Sequence, residues 1–230
     1  MTTALIAAGG LGERFGGSVP KALVPLAGRP LVAWCADSLG AAQSVQRIVV
    51  AAPPGFERET AAAVGDAAKS IEVDVVAGGP SRSRSVAAAL DATDEDAVVL
   101  VHDAARPLVT PKLAERCVAE LQRAACDGTV AAARATDTVK EADPGGRVMA
   151  TLERSSLWLV QTPQVFQASA LREALAGPEI DRAYDDAQLV EARGGHVRIV
   201  EAPRENLKIT TPLDLRIAEL LLRAGRMSAT

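Results

Sequence analysis

Apolar runs of strand length alternate with amphipathic stretches along most of this chain. The runs fall at residues 3–8, 47–52, 71–77, 97–102, 129–135 and 196–200, with a further one at 157–160. Between them, residues 31–39, 57–68, 83–90 and 111–125 carry apolar positions at helical spacing. Such alternation predicts βαβ units and a mostly parallel sheet, hence an α/β fold. The run at 3–8 is short and apolar, as a strand buried on both faces is. Pro30 and Pro111 stand where a first helical turn begins, and Thr110 is available as a cap. In sheets of this kind ligands gather at the carboxyl ends of the strands.

Residues 137–152 break the alternation. They read as strand, Asp143-Pro144-Gly145-Gly146 turn and strand, with charged residues on both faces. A hairpin with so little apolar surface is either a solvated flap or an arm that reaches a partner subunit, and hairpin energetics favour the arm. No repeat, low-complexity stretch or linker divides the sequence, so a single domain over residues 1–230 is expected, with the arm at about 136–156.

Composition narrows the function classes. Hydrophobic residues make up 48% of the 230 and charged residues 23%, the profile of an ordinary globular domain. Aromatic residues are only 3% and the net charge is -4, which leaves neither a base-stacking surface nor a track for a polyanion, so no nucleic-acid partner is expected. No apolar run is long enough to span a bilayer and no basic leader precedes the first strand, so no membrane partner and a cytoplasmic location are expected. Cys35, Cys117 and Cys126 are odd in number, lie in helix-like segments and lack metal-type spacing. Reduced, buried thiols are the expected state.

The loop from Ile6 to Lys21 carries the first chemistry. Gly9, Gly10 and Gly12 let backbone N–H groups approach an anion, and Arg14 and Lys21 supply the charge a polyphosphate demands. Two familiar phosphate loops do not fit. A dinucleotide fingerprint would need a third glycine at Phe15 and an acid after the second strand, and a Walker loop would need Lys at Ser18. Glycines alone would suit a plain strand-to-helix turn; Arg14 with Pro20-Lys21 favours a triphosphate cradle.

Five later segments, each read as following a strand, add to it. Gly78 to Val86 offers glycines that admit a flat ring and a hydroxyl at Ser85, and a turn with a cap would explain Gly79 and one Ser easily but Arg82 and Arg84 less well. Val101 to Pro107 places Asp103, a metal or hydroxyl partner, three residues before Arg106, which suits phosphate or carboxylate. An Asp capping its own turn and paired with that Arg reads equally well, and His102 reads as a structural histidine. Thr138 opens the hairpin and Arg154 follows its return; Gln161-Thr162-Pro163-Gln164 follows the run at 157–160; Glu205 to Pro212 brings Lys208.

Taken in order, these motifs closely resemble the 2-C-methyl-D-erythritol 4-phosphate cytidylyltransferase family over nearly the whole length. The matching pieces are Ala-Gly-Gly-Leu-Gly-Glu-Arg, Pro20-Lys21, Gly78-Gly79, Val-His-Asp-Ala-Ala-Arg-Pro, Asp137-Thr138, Arg154, Thr162-Pro163-Gln164 and Asn206-Leu207-Lys208-Ile209-Thr210. The resemblance implies a Rossmann-like three-layer sandwich of the nucleotidyltransferase, glycosyltransferase-A-like type with a protruding β-arm. By it, Ala8, Gly9, Gly10 and Gly12 hold the phosphates of CTP, and Arg14 and Lys21 stabilise the transition state. Gly79, Pro80 and Ser85 frame cytosine and ribose. Asp103, Arg106, Thr138, Arg154, Thr162 and Lys208 handle a small polyol phosphate, with Arg154 and Lys208 positioning it, and the arm makes a homodimer.

Three positions depart from the family pattern. Ala8-Gly9 stands where two alanines are usual, Pro80 lacks an N–H, and Tyr184 precedes Asp185-Asp186 where Thr is expected, so that segment receives no role. The implied reaction joins two polyanions, so Mg²⁺ or another divalent cation is an expected cofactor, with Asp103 its candidate ligand. Ribitol 5-phosphate cytidylyltransferases share much of the motif set, and a catalytically silent nucleotide-binding domain is the alternative from another class.

Overall fold

The computed structural model describes residues 2–10, 19–65, 68, 71–93 and 98–228, with the main chain alone for 226–228. Strand β1 (Thr2–Ala7) holds Ala4, Leu5 and Ile6 with no exposed surface, as a strand covered by helices on both faces requires. The two-residue strands β2 (Pro25–Leu26) and β3 (Arg29–Pro30) come next, then α1 (Leu31–Gly40), β4 (Val45–Ala52), α2 (Glu57–Gly65) and β5 (Glu72–Ala77). The chain continues through α3 (Arg82–Leu90), β6 (Val98–Asp103), α4 (Pro111–Ala124) and β7 (Gly128–Arg134). A separate hairpin, β8 (Lys140–Ala142) and β9 (Val148–Thr151), leads into β10 (Trp158–Gln167). Helices α5 (Ala168–Leu175) and α6 (Asp186–Glu191), strand β11 (Val197–Glu201) and α7 (Pro212–Ser228) complete it.

The main sheet has seven strands in the order β11-β7-β10-β6-β1-β4-β5. All its pairings are parallel except those of β10, which runs antiparallel to both β6 and β7. Alternate residues of β1 serve opposite faces. Ala4 and Ile6 pack with Leu39 of α1, Val64 of α2 and Leu113 of α4, whereas Leu5 packs with Val86 of α3, Leu171 of α5 and Leu189 of α6. The molecule is therefore the mostly parallel three-layer α/β sandwich that the sequence implies. Outside these layers, Ile209 and Ala218 close a small core with Leu26 and Leu31, which seats α7.

The pattern-based elements recur with ends shifted by a residue or two, and Thr110 caps α4 as expected, its hydroxyl accepting from the Leu113 N–H at 3.3 Å. Helix α2 is described to Gly65, so residues 66 and 67 of its expected span lie outside the described residues. Pro30 stands one residue ahead of α1 rather than within its first turn. Cys126 lies past the end of α4, not in a helix, and all three cysteines are free and buried.

The largest correction concerns residues 161–164, which do not follow a strand but lie inside β10. Pro163 cannot donate to a ladder, and the register slips there: Val160 faces Ala132 whereas Gln164 faces Val130. The bulge lies just beyond the Gln164–Val101 pair, at the carboxyl end of β6. Helices α5, α6 and α7 have no counterpart in the apolar pattern read from the sequence. Helix α5 begins straight off β10 without a side-chain cap, and α6, although Asp185 caps it by accepting from the Gln188 N–H at 2.9 Å, is only six residues long, too short for an apolar period to show.

Gly128 of β7 faces Phe166 of β10, and a Cβ at Gly128 would stand 2.6 Å from the Phe166 ring, which is fully buried. Gly128→Ala is expected to cost about 1–3 kcal/mol through overpacking. Calorimetry should show the melting temperature falling by about 2–4 °C for each kcal/mol; an unchanged temperature would mean that the ring relaxes freely.

Candidate active site

Two cavities open at the carboxyl ends of the central strands and share one wall. The first has a volume of about 560 Å³ and the second about 540 Å³. Arg82, Asp103 and Lys208 line both.

The first cavity gathers residues from four places in the chain. Ala8, Gly9, Gly10 and Lys21 come from the region after β1, Gly79, Pro80 and Ser85 from the start of α3, Asp103 from the end of β6, and Lys208 from the segment after β11. Close approach explains two of the glycines. A Cβ on Gly9 would stand 2.5 Å from Ser85 Oγ, and one on Gly79 would stand 2.4 Å from Arg84 Cβ. Ser85 secures this meeting of loops, since its Oγ accepts from the Gly79 N–H at 3.1 Å and donates to Ser81 O at 2.9 Å. Gly12 and Arg14 lie outside the described residues.

The second cavity is bounded by Arg106, Thr162, Gln164, Tyr184 and Gln188 as well as the shared wall. Thr162, on the β10 bulge, accepts from the backbone N–H of Asp103 at 3.0 Å and meets His102 Nδ1 at 3.0 Å. His102 is fully buried, with Nε2 at 3.1 Å from Arg106 O. Burial pushes its pKa down to about 4, so it is a neutral strut, as its sequence context suggests, and not a base. Arg106 does not pair with Asp103. Its Nη1 donates to Asn206 O at 2.8 Å and its Nη2 to Val160 O at 3.4 Å. Burial lowers its pKa, with Asp103 working in the opposite direction.

Asp103 is the electrostatic centre. Its Oδ1 accepts from Arg82 Nε at 2.8 Å and its Oδ2 from Lys208 Nζ at 2.7 Å. Burial works against its charge, but the two cations more than offset that and hold its carboxyl well below the usual range. The guanidinium of Arg82 also reaches Asp186 Oδ2 at 2.7 Å. Asp186 is fully buried, and burial pushes its pKa up despite that partner.

Arg82 and Asp186 received no role from the sequence, although the Arg82-x-Arg84 pair and the Asp185-Asp186 doublet were visible there. Asn206 was also missed as an anchor. Its Nδ2 donates to Gln161 Oε1 and to Thr162 O, both at 2.8 Å. The Ile209 N–H then donates to Ala105 O at 2.8 Å, and these ties carry Lys208 to Asp103. Thr138 and Arg154 line neither cavity. Both are exposed near the root of the hairpin, where Arg154 Nη1 donates to Thr136 O at 2.6 Å. Arg134 stacks on the Trp158 ring at 4.3 Å beside them.

Among the described residues, no group of three or more His, Cys, Asp or Glu side chains could hold a metal ion. Asp103 alone therefore represents the expected metal ligand. Each of its oxygens has one cationic partner and keeps a further lone pair, so it could give one bond to a cation whose other ligands come from a phosphate chain and water. Among the described residues no helix is long and apolar enough to cross a membrane.

The family model described as "IspD: 2-C-methyl-D-erythritol 4-phosphate cytidylyltransferase" matches residues 2–224. The 2-C-methyl-D-erythritol 4-phosphate cytidylyltransferase of Synechococcus elongatus is 42% identical over 228 residues, covering 98% of this chain and 97% of the relative. That of Frankia casuarinae is 44% identical over 223 residues, with 95% and 80% covered. The solved structure of the Thermus thermophilus enzyme of the same name superposes with a TM-score of 0.77 at 35% identity, covering 96% of this chain and 98% of that one.

Asn206→Ala would leave the Gln161 and Thr162 oxygens without a donor in a buried setting. The expected loss is about 2 kcal/mol or more, since an unsatisfied buried group costs about 1–3 kcal/mol. Denaturant titration should show it as a lower midpoint with an unchanged slope.

Proposed function

The chain belongs to the 2-C-methyl-D-erythritol 4-phosphate cytidylyltransferase family, and from that premise we propose that it transfers the cytidylyl group of CTP to 2-C-methyl-D-erythritol 4-phosphate. The products are 4-diphosphocytidyl-2-C-methyl-D-erythritol and pyrophosphate. One observation carries the reading at the level of this molecule: two cavities meet at a wall that holds Lys208, Asp103 and Arg82. Two anions can thus be brought side by side across a wall whose Lys208 supplies positive charge.

In the proposed reaction the phosphate oxygen of the polyol attacks the α-phosphorus of CTP, and the bond to the departing pyrophosphate breaks in line. A phosphate monoester is already mostly dianionic at neutral pH, its second pKa lying near about 6, so no base is needed. This accords with a His102 that burial keeps neutral and fully engaged. The barrier is instead charge repulsion, and catalysis is positioning with neutralisation.

Ala8, Gly9, Gly10 and Gly12 take the nucleotide phosphates, with Arg14 and Lys21 as the stabilising cations. Gly79, Pro80 and Ser85 edge the base and ribose. In the second cavity Asp103 receives the polyol hydroxyls, and Thr162, Arg106 and Lys208 orient the phosphate. A divalent cation, when bound, supplies further neutralisation of the triphosphate, and Asp103 is the residue that would hold it.

The hairpin serves a homodimer in this reading. It carries exposed Val148, Met149 and Leu152, at 55%, 62% and 38% of their full surface, an apolar edge suited to a second copy. Thr138 and Arg154 then act on the neighbouring subunit's site, which would explain why they line neither cavity of their own chain.

Pyrophosphate release measured with CTP, Mg²⁺ and either 2-C-methyl-D-erythritol 4-phosphate or ribitol 5-phosphate tests the function directly. Turnover is expected with the first alone; turnover with ribitol 5-phosphate, or with neither, overturns the assignment. Lys21→Ala is expected to lower kcat by about 100-fold or more, with a smaller change in KM for CTP. Mixing Arg154→Ala with Lys21→Ala protein should restore part of the lost activity, whereas no recovery would place each site within one chain.

A further inference from the structure

Arg82 is a cation for which the proposed reaction has no direct use. It opens α3, next to the Gly79 to Ser81 stretch that edges the first cavity. Its Nε and Nη1 point to different acids, Asp103 at 2.8 Å and Asp186 at 2.7 Å. Asp103 belongs to the wall between the cavities. Asp186 begins α6, and its neighbours Tyr184, Asp185 and Gln188 form the rim of the second cavity.

That rim is held from two further sides. Gln164 Nε2 donates to Asp185 Oδ2 at 2.9 Å, and Gln164 Oε1 accepts from the Ala187 N–H at 3.3 Å. On the outside of the same α3 turn, Arg84 Nη2 reaches Asp181 Oδ2 at 2.9 Å and Ser81 Oγ donates to Asp181 Oδ1 at 2.9 Å. The first turn of α3 is thus clasped to residues 181–186 by an exposed ion pair and by a buried one. The buried one matters more, because Asp186 has no exposed surface and its Oδ1 has no hydrogen-bond partner among the described residues.

We propose that Arg82 is a positioning residue that couples the two cavities. A nucleotide seated against Gly79 to Ser81 fixes the first turn of α3, and the planar guanidinium carries that setting to Asp103 and to the start of α6. The second substrate then meets a rim already in place. Lysine could not do this, since a point charge on a flexible stem does not hold two carboxylates at fixed angles. By linkage, each ligand must tighten the other equally. The proposal rests on the assignment of the cavities to CTP and the polyol phosphate.

Calorimetric titration of the whole protein with 2-C-methyl-D-erythritol 4-phosphate tests it, with and without a saturating CTP analogue that carries a methylene bridge between the α- and β-phosphates, and Mg²⁺ present throughout. In the wild type the analogue is expected to tighten the polyol phosphate by about fivefold or more, the lower end of ordinary coupling. In Arg82→Gln the ratio should fall close to one while the analogue alone binds with little change. Arg82→Lys and Asp186→Asn remove the fork and its far end, and both should lower the ratio; they also serve if Arg82→Gln does not fold.

A role in folding alone would lower the melting temperature and leave the ratio intact, and an intact ratio in any folded variant overturns the proposal. Wild-type protein that binds both ligands with a ratio of one overturns the coupling and spares the function. Wild-type protein that binds neither overturns both.

Discussion

The buried carboxylate of Asp103, held between Arg82 and Lys208, is the constraint around which the rest of the site is arranged. A charge at 7% exposure is tolerable only with partners of opposite sign and with its other polar neighbours satisfied. Each requirement recruits a different part of the chain. The carboxylate draws in the start of α3 and the segment after β11, and the backbone N–H of the same residue draws in the β10 bulge through Thr162. The second carboxylate of Asp186 brings α6 to the other end of Arg82. Two cavities with a common wall follow from satisfying these groups.

The fold was largely legible because its central strands are apolar on both faces and its main helices are amphipathic, and both signals are local. The reading failed where the signal was tertiary. Pro163 reads as the end of a strand, yet β7 pairs with β10 on both sides of it, and β6 pairs with the part that follows. Helix α5 starts at Ala168 with no side-chain cap from Gln167, and packing alone defines it. By contrast, α7 had a readable start: Asp214 accepts from the N–H groups of Thr210 and Thr211 at 2.8 Å, and Pro212 opens the first turn.

The site shows the same division. Ala8 to Gly10, Lys21, Gly79, Asp103 and Lys208, singled out from glycine loops and strand-end motifs, line one cavity, and Thr162, inside β10 rather than after a strand, lines the cavity beside it. What no local pattern announces is which charges pair. The side chains of Asp103 and Arg106 are close in sequence but bond elsewhere, whereas those of Arg82 and Asp186 are 104 residues apart and bond directly. Arg106 gives one bond from each terminal nitrogen to the carbonyls of Asn206 and Val160, so it ties loops together as well as lining the second cavity.

The reversed direction of β10 has a further consequence, for the order in which the molecule can be made. Because that strand passes the site at its middle, the chain leaves at the opposite end of the sheet, beside the start of β6, and must return through α5 to deliver Asp186, and later Lys208. Contacts of such sequence separation form slowly, after local structure has condensed. During synthesis the end of β6 therefore exists long before the cation that completes it. A chain still short of Lys208 holds at its centre an acid with only one of its two cations, Arg82.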